Sequence, residues 1–341
     1  MTRILFLFSM LIFACTAVKE QSRQVKIGII ADGSFADKGF NESALDALNE
    51  IREDYGVEII SRESSLDSFL GDIEELNGMG VDLMWLVGQP FADVAETVAS
   101  ENTAIKYAVI DAVYDSSILL PSNLTSMTFR TEESAFLVGY IAARKSRIDR
   151  IGFIGGMDVP VINTFRFGYE AGALYAKSDI YVEVDYVGDF NDKGLGKIAA
   201  EKMYSNGADV IFTAAGLTGL GVIDVAEKLG DGHYVIGVDQ DQSQLAPNSI
   251  ITSAVKDVRR AVLSFTANYL TTKHFDGGGR TNSYGLREGF VGHIRNPKMI
   301  PDEMEAEIEE ISQKIINGKI VVPKDYKSFS KFIELRDEVK E

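Results

Sequence analysis

Three hydrophobic runs in this chain end in an aspartate. The run Ile27 to Ala31 stops at Asp32, the run closing with Val109-Ile110 stops at Asp111, and Tyr234 to Val238 stops at Asp239, followed at once by Gln240 and Asp241. A carboxylate in such a place has two uses. It can cap the next turn or helix by accepting backbone N–H groups, or it can offer a charged acceptor to a molecule bound beyond the strand end. Hydrogen bonds to a charged acceptor are worth about 1.5–3 kcal/mol each, so a pair of them would fix an uncharged, hydroxyl-rich ligand such as a ribose diol. The same groups would repel phosphate, and the chain has neither a P-loop signature nor a GxGxxG after its first run.

Aromatic and glycine residues lie close by. Phe40 follows Asp32 in ADGSFADKGFN, with Asn41 beside it, Phe165 has a similar place in a later helix, and Phe212 sits on the run feeding AAGLTGLG, Ala214 to Gly221. A base stacked on a ring gains ~1–3 kcal/mol with little dependence on its identity; a phenylalanine at helical spacing equally well fills a core. Within AAGLTGLG, Gly216, Thr218 and Gly219 suit either backbone contact with an uncharged ligand or tight packing of a strand against the next helix. Nothing else resembles catalytic machinery. His233, His274 and His293 are widely spaced, HExxH and GxSxG are missing, and the single cysteine allows no CxxC metal site or internal disulfide. A nucleosidase built on the aspartates is the remaining enzymatic option, so the chain reads as a binder, not an enzyme, with no cofactor and no metal.

These residues need a frame that brings strand ends together. Short β-branched runs alternate with helical patterns: strand Val25 to Ala31, helix Asp37 to Asp54 with Phe40, Ala44, Leu48 and Ile51 on one face, then strands at Val57 to Ser61, Leu83 to Gly88 and Ile105 to Asp111 separated by helices. A second cycle follows Leu124 to Phe129, and its opening, RIGFIGGMD, is like the first, VKIGIIADG. Alternation of this kind predicts an α/β protein with two doubly wound parallel sheets, whose binding crevices lie at the carboxyl ends of the strands. The tail predicts an amphipathic helix through Met304, Ile308, Ile311 and Ile315, a turn at Asn317-Gly318 and a strand from Ile320 to Val322; Gly277 to Gly279 reads as a loop.

Size and charge narrow the partners. The 341 residues carry Lys+Arg 34 against Asp+Glu 51, a net charge of −17, which argues against nucleic acid because phosphate contacts need a basic surface. At the start, Arg3 precedes an apolar run from Ile4 to Ala14 that is too short to span a bilayer comfortably, and the lone thiol, Cys15, comes next. Ile12-Phe13-Ala14-Cys15 resembles a loose bacterial lipobox. Residues 1–14 are then a signal peptide, Cys15 the acylated first residue, and 15–24 a tether holding the folded body at a cell membrane, facing the periplasm or cell surface; a transmembrane anchor or a buried free cysteine is the other reading.

ADGSFADKGFNESALDAL, the strand ending VIDA, AAGLTGLGV, IGVDQDQ and ITSAVKDVRRAV occur in that order, and together they resemble the basic membrane protein family of lipoproteins, whose PnrA type is the purine-nucleoside-binding component of an ABC transporter; the spirochaetal D form is among the members the chain resembles. The resemblance runs from about Val25 to IINGKIVVP. It implies a type I periplasmic binding protein fold with three crossing segments, one lobe from 25–129 and 256–285 and the other from 130–255 and 286–341. It also implies a purine nucleoside (adenosine, guanosine or inosine) as ligand, and ABC permease and ATPase subunits as partners. Position by position, Phe40 and Phe212 would stack on the base, Asp111 and Asp239 would bind ribose hydroxyls, Asp32 and Asn41 would address the base or brace Phe40, and Lys256 would lie near the cleft. Phe165, Gly216, Thr218, Gly219 and Asp241 complete the expected ligand shell. Leu217 departs from the AGGTG pattern of family loops, which puts backbone contact there in question. A free sugar as cargo, or a surface adhesin that binds host proteins, are the alternatives.

Overall fold

The computed structural model describes residues 23–115, 117 and 119–338. Cys15 and the signal segment lie outside that range. Arg23 and Gln24, read above as tether, are fastened to the folded body: Arg23 donates to Gly80 O at 2.8 Å and pairs with Asp82, and Gln24 donates to Gly56 O.

The first lobe begins with β1 (Lys26–Asp32), α1 (Phe40–Tyr55), β2 (Glu58–Ser64), α2 (Phe69–Gly78), β3 (Leu83–Val87), α3 (Ala92–Glu101), β4 (Lys106–Ile110) and β5 (Leu124–Phe129). The chain then builds the second lobe from α4 (Thr131–Lys145), β6 (Arg150–Gly155), α5 (Pro160–Ala176), β7 (Tyr181–Tyr186), α6 (Lys193–Ser205), β8 (Val210–Ala214), α7 (Gly216–Leu229), β9 (Tyr234–Asp239) and β10 (Ile250–Lys256). It returns to the first with α8 (Val258–Thr272) and β11 (Arg280–Tyr284), and ends in the second with β12 (Val291–His293), α9 (Asp302–Ile316) and α10 (Tyr326–Glu338). Each lobe has one sheet of six strands, ordered β11-β5-β4-β3-β1-β2 and β12-β10-β9-β8-β6-β7. All described pairings are parallel except β10 with β12. This is the two-lobed α/β architecture that the alternating pattern predicts.

Strand periodicity sorts the cores. In β3, Leu83, Trp85 and Val87 enter the core beneath α1 and α8, while Met84 and Leu86 enter the one on the opposite face. Because both faces are covered, the strand reads as an unbroken apolar run rather than an alternating one. Trp85 also donates its indole N–H to Thr266 Oγ1 at 3.1 Å, which ties β3 to α8 and anchors the returning segment. In β8, Val210, Phe212 and Ala214 face one core and Ile211 the other.

The chain crosses between lobes three times, at 129–131, 256–258 and 284–291. The crossings are bonded to one another. Arg130 N donates to Tyr284 O at 2.7 Å and Asp257 N to Phe290 O at 2.8 Å, while the Arg130 guanidinium pairs with Glu133 and Glu288.

Two local expectations need correction. The helix expected from Asp37 starts at Phe40, because Asp37 is its cap: its carboxylate accepts from Gly39 N, Asn41 N and Glu42 N at 3.0, 2.9 and 3.1 Å. The segment Ile320 to Val322 is not a strand. Ile320 and Val322 pack on the core of the second lobe and Val321 is exposed, so the alternation that suggests a strand is present without a neighbouring ladder.

Candidate functional site

The carboxyl ends of both sheets face each other across the interlobe cleft, around a cavity of about 220 Å³. From the first lobe it receives Asp32, Asp37, Phe40, Asn41, Gln89 and Asp111; from the second, Phe165, Phe190, Asn191, Gly216, Leu217 and Asp239; Lys256 reaches it from a crossing segment.

Asp111 and Asp239 hold equivalent positions, at the ends of the fourth strands of the two cycles, and both take φ +68. That left-handed conformation is uncommon for a residue with a side chain, although aspartate tolerates it better than most, and it costs of order 1 kcal/mol. At Asp239 it forms a tight three-residue turn in which Gln240 N donates to Val238 O at 2.8 Å.

The two carboxylates have different environments. Asp111 accepts a hydrogen bond and ion pair from Lys256 Nζ, and both side chains are buried. The Lys256 ammonium also sits 4.2 Å from the centre of the Phe40 ring, a cation–π contact that helps to keep a buried charge. Asp239 is 7% exposed, yet no described residue donates a hydrogen bond to it. Burial pushes its carboxyl up to about 7, with Asp37 and Asp111 adding to the rise and Lys256 opposing it. Burial likewise raises Asp32, whose side chain also has no described donor, and Asp37, despite the three N–H groups it accepts. A buried acceptor without a partner is costly, at about 1–3 kcal/mol and more when charged. Asp239 therefore keeps free acceptor capacity toward the cavity, for a proton or for a donor from a ligand.

Asn41 acts as a brace. Its amide donates to Asp32 O and Ser34 O, both at 3.1 Å, which fixes the loop between β1 and α1, while its Oδ1 is buried without a partner.

Of the residues singled out in the sequence, Asp32, Phe40, Asn41, Asp111, Phe165, Gly216, Asp239 and Lys256 line this cavity. Four others do not. Phe212 is fully buried mid-strand, against Phe153, Phe165 and Tyr169, because a residue two positions before a strand end points into the sheet face and not off its edge. Thr218 shapes a loop instead of touching the cavity: its hydroxyl accepts from Asp192 N and its N–H donates to Phe190 O, each at 3.0 Å. Gly219 lies within α7, where an added Cβ would come 3.1 Å from Thr213 Oγ1, so it serves strand-to-helix packing. Asp241 is exposed and caps Ser243 N at 2.9 Å.

The sequence reading missed Asp37, Gln89, Phe190 and Asn191. Phe190 supplies the aromatic wall from the second lobe that was expected of Phe212. It follows β7 by four positions, so asking what comes after every strand, and not only after those ending in aspartate, would have found it. Gly156 permits its placement, since a Cβ there would overlap the Phe190 ring. Leu217 contributes its side chain to the wall.

The cavity can accept hydrogen bonds from hydroxyl or amino groups and can hold a flat apolar body. Four carboxylates against one ammonium disfavour an anion. None of the three histidines lines it, and no group of three or more metal-ligating side chains occurs among the described residues. No helix among the described residues is long and apolar enough to cross a membrane.

Residues 24–326 match the model of the family described as ABC transporter substrate-binding protein PnrA-like. Basic membrane protein A1 of Borrelia garinii subsp. bavariensis is 51% identical over 333 residues, covering 97% of this chain and 98% of that one. Basic membrane protein D of Borreliella burgdorferi is 44% identical over 331 residues, 96% of each. Among solved structures, an ABC transporter system solute-binding protein from Aeropyrum pernix superposes with a TM-score of 0.82 at 28% identity, covering 91% of this chain and 96% of that chain.

Proposed function

The chain belongs to the PnrA-like family of ABC transporter substrate-binding proteins, and from that premise we propose that it captures a purine nucleoside between its lobes and delivers it to a membrane permease. The observation that carries this reading is Asp239, a buried carboxylate on the cavity wall with no donor from any described residue. A ribose diol supplies the missing donors. Phe40 and Phe190 line the cavity from opposite lobes as aromatic partners for a heterocycle, and the apolar wall of Met157, Val159, Val161, Ile162 and Leu217 favours a base-bearing ligand over a bare sugar. Asp32 and Asn41 Oδ1 remain as acceptors for the base edge.

Capture requires no bond to be made or broken. The lobes close on the nucleoside, the closed form docks on the permease, and opening releases the cargo. Cys15 is the proposed lipid attachment point; Cys15→Ser should move the protein from the detergent phase to the aqueous phase on partitioning.

Mass spectrometry of small molecules released on denaturation, followed by calorimetric titration, tests the ligand. Adenosine, guanosine or inosine should bind, while the corresponding 5′-monophosphates should bind at least roughly a hundred-fold more weakly, since a dianion meets several carboxylates. The reading is lost if no nucleoside is released and none binds, or if ribose alone binds as tightly.

A further inference from the structure

Outside the cavity the lobes also meet where the turn Gln240 to Gln242 of the second lobe lies against the start of α1 in the first. Gln242 is 5% exposed and does not line the cavity. Its own lobe holds it rigidly: Oε1 accepts from Val238 N at 2.9 Å, and its backbone N–H donates to Ser253 Oγ at 3.2 Å. The side chain lies flat over β9 because position 237 is glycine; a Cβ there would collide with Gln242 Oε1.

With the acceptor end fixed, the amide nitrogen has one direction left, across the cleft. Gln242 Nε2 donates to Lys38 O at 2.8 Å. Lys38 takes φ +53, immediately before Gly39 and the first turn of α1. Ser43 Oγ donates to Gln240 Oε1 at 3.3 Å, a second cross-lobe bond on the same side.

We propose that Gln242 is the latch of the clamp, a positioning residue that raises affinity for the cavity ligand without touching it, by stabilising the closed arrangement of the lobes. This rests on the capture reading above. In an open cleft the Lys38 carbonyl and the Gln242 amide would each bond to water, so the latch adds only what a neutral hydrogen bond is worth net. Apparent affinity falls in proportion to the population of the binding-competent state, so a weaker latch appears as weaker binding even though every cavity contact survives.

The test uses Gln242→Glu, Gln242→Ala and Ser43→Ala. Gln242→Glu keeps the acceptor for Val238 N but sets an oxygen against the Lys38 carbonyl. Titration with adenosine and inosine should show affinity about three- to ten-fold weaker for Gln242→Ala, at least ~10-fold weaker for Gln242→Glu, and about two-fold weaker for Ser43→Ala. Small-angle scattering should give Gln242→Glu a larger radius of gyration than wild type without ligand, and the wild-type closed value at saturating nucleoside. Affinity within two-fold of wild type for Gln242→Glu, with an unchanged ligand-free radius, overturns the proposal. If wild type binds no nucleoside, the capture reading fails, and the latch stands or falls on the ligand-free radius alone. Should thermal unfolding show that these Gln242 variants do not fold, Gln242→Met, which keeps the side chain's length but cannot donate to Lys38 O, carries the test, and unchanged affinity and ligand-free radius then overturn it.

Discussion

The two lobes share a strand order and place an aspartate in the same left-handed conformation at the same strand end, but they present opposite chemistry to the cleft. The first contributes three carboxylates, Asp32, Asp37 and Asp111. Apart from Asp239 and Asn191, the second contributes a largely apolar wall: Met157, Val159, Val161, Ile162, Phe165, Phe190 and Leu217. The difference begins at the first strand of each cycle. β1 ends in Asp32; the matching β6 runs out through Gly155-Gly156, and the missing side chain at Gly156 is where the Phe190 ring lies. Repeating the architecture did not repeat the site. The first lobe offers most of the charged acceptors and the second most of the apolar wall, with Asp239 and Phe40 as the exceptions, so a ligand with a polar half and a flat apolar half is held fully only when both close.

The sharpest way to break this comparison is the same substitution at the two equivalent aspartates. Asp111→Asn leaves the Lys256 ammonium buried without its carboxylate, which should cost roughly 3–5 kcal/mol of stability and lower the unfolding temperature. Asp239→Asn should do the opposite. Burial lifts the Asp239 carboxyl to about 7, so in the window between the ordinary carboxylate range and pH 7 the native state holds more protons than the unfolded one, and stability falls as pH rises. Removing that carboxylate should stabilise the protein at pH 8, by on the order of a few kcal/mol, and leave it little changed near pH 4. Thermal unfolding at both values decides this; equal shifts for the two variants would mean that the environments do not differ as described. In titrations with inosine, Asp239→Asn should weaken binding by roughly a hundred-fold.

Removing the ring of the second lobe should have the next largest effect. Phe190→Ala is expected to lower nucleoside affinity about ten- to a hundred-fold, the value of one stack, while Phe212→Ala should chiefly reduce stability through a core cavity. If Phe212→Ala affects affinity more than Phe190→Ala does, the assignment of the second aromatic wall is wrong. Gly156→Ala, which pushes Phe190 aside, should reproduce a smaller part of the Phe190→Ala loss. The gentlest probe is pH. Nucleoside binding should weaken several-fold from pH 8 to pH 6, as Asp239 takes up its proton and loses acceptor strength, and Asp239→Asn should flatten that dependence.

Much of the scaffold was legible because its signals are local. Buried parallel strands such as Leu83–Val87 are unbroken apolar runs, helices such as α1 carry a spaced apolar face, and the order of the two decides the fold class. The strand-end rule also found Asp32, Asp111 and Asp239 with no partner in view. It failed where a side chain's role depends on direction or on distant neighbours. Phe212 and Phe190 are both aromatic and both near a strand end, and only the pleat of β8 and the bare backbone at Gly156 decide which one meets the cleft. Asp32 ends β1 and Asp37 lies five residues on, in the loop before α1, yet Asp37 is occupied by three backbone N–H groups and Asp32 has no described donor.

The sequence by itself determined the two α/β cycles and the residue types at the strand ends, since hydrophobic periodicity and strand termination are properties of neighbouring residues. Only the tertiary structure decided that Lys256 bonds to Asp111 and not to Asp239, that Gln242 reaches Lys38, and that eight of the twelve expected ligand residues converge on one cavity while four do not. Those outcomes depend on how segments as much as 204 residues apart are brought within bonding distance, and the energy of a buried charge or an interlobe hydrogen bond is set by that meeting rather than by anything nearby in the chain.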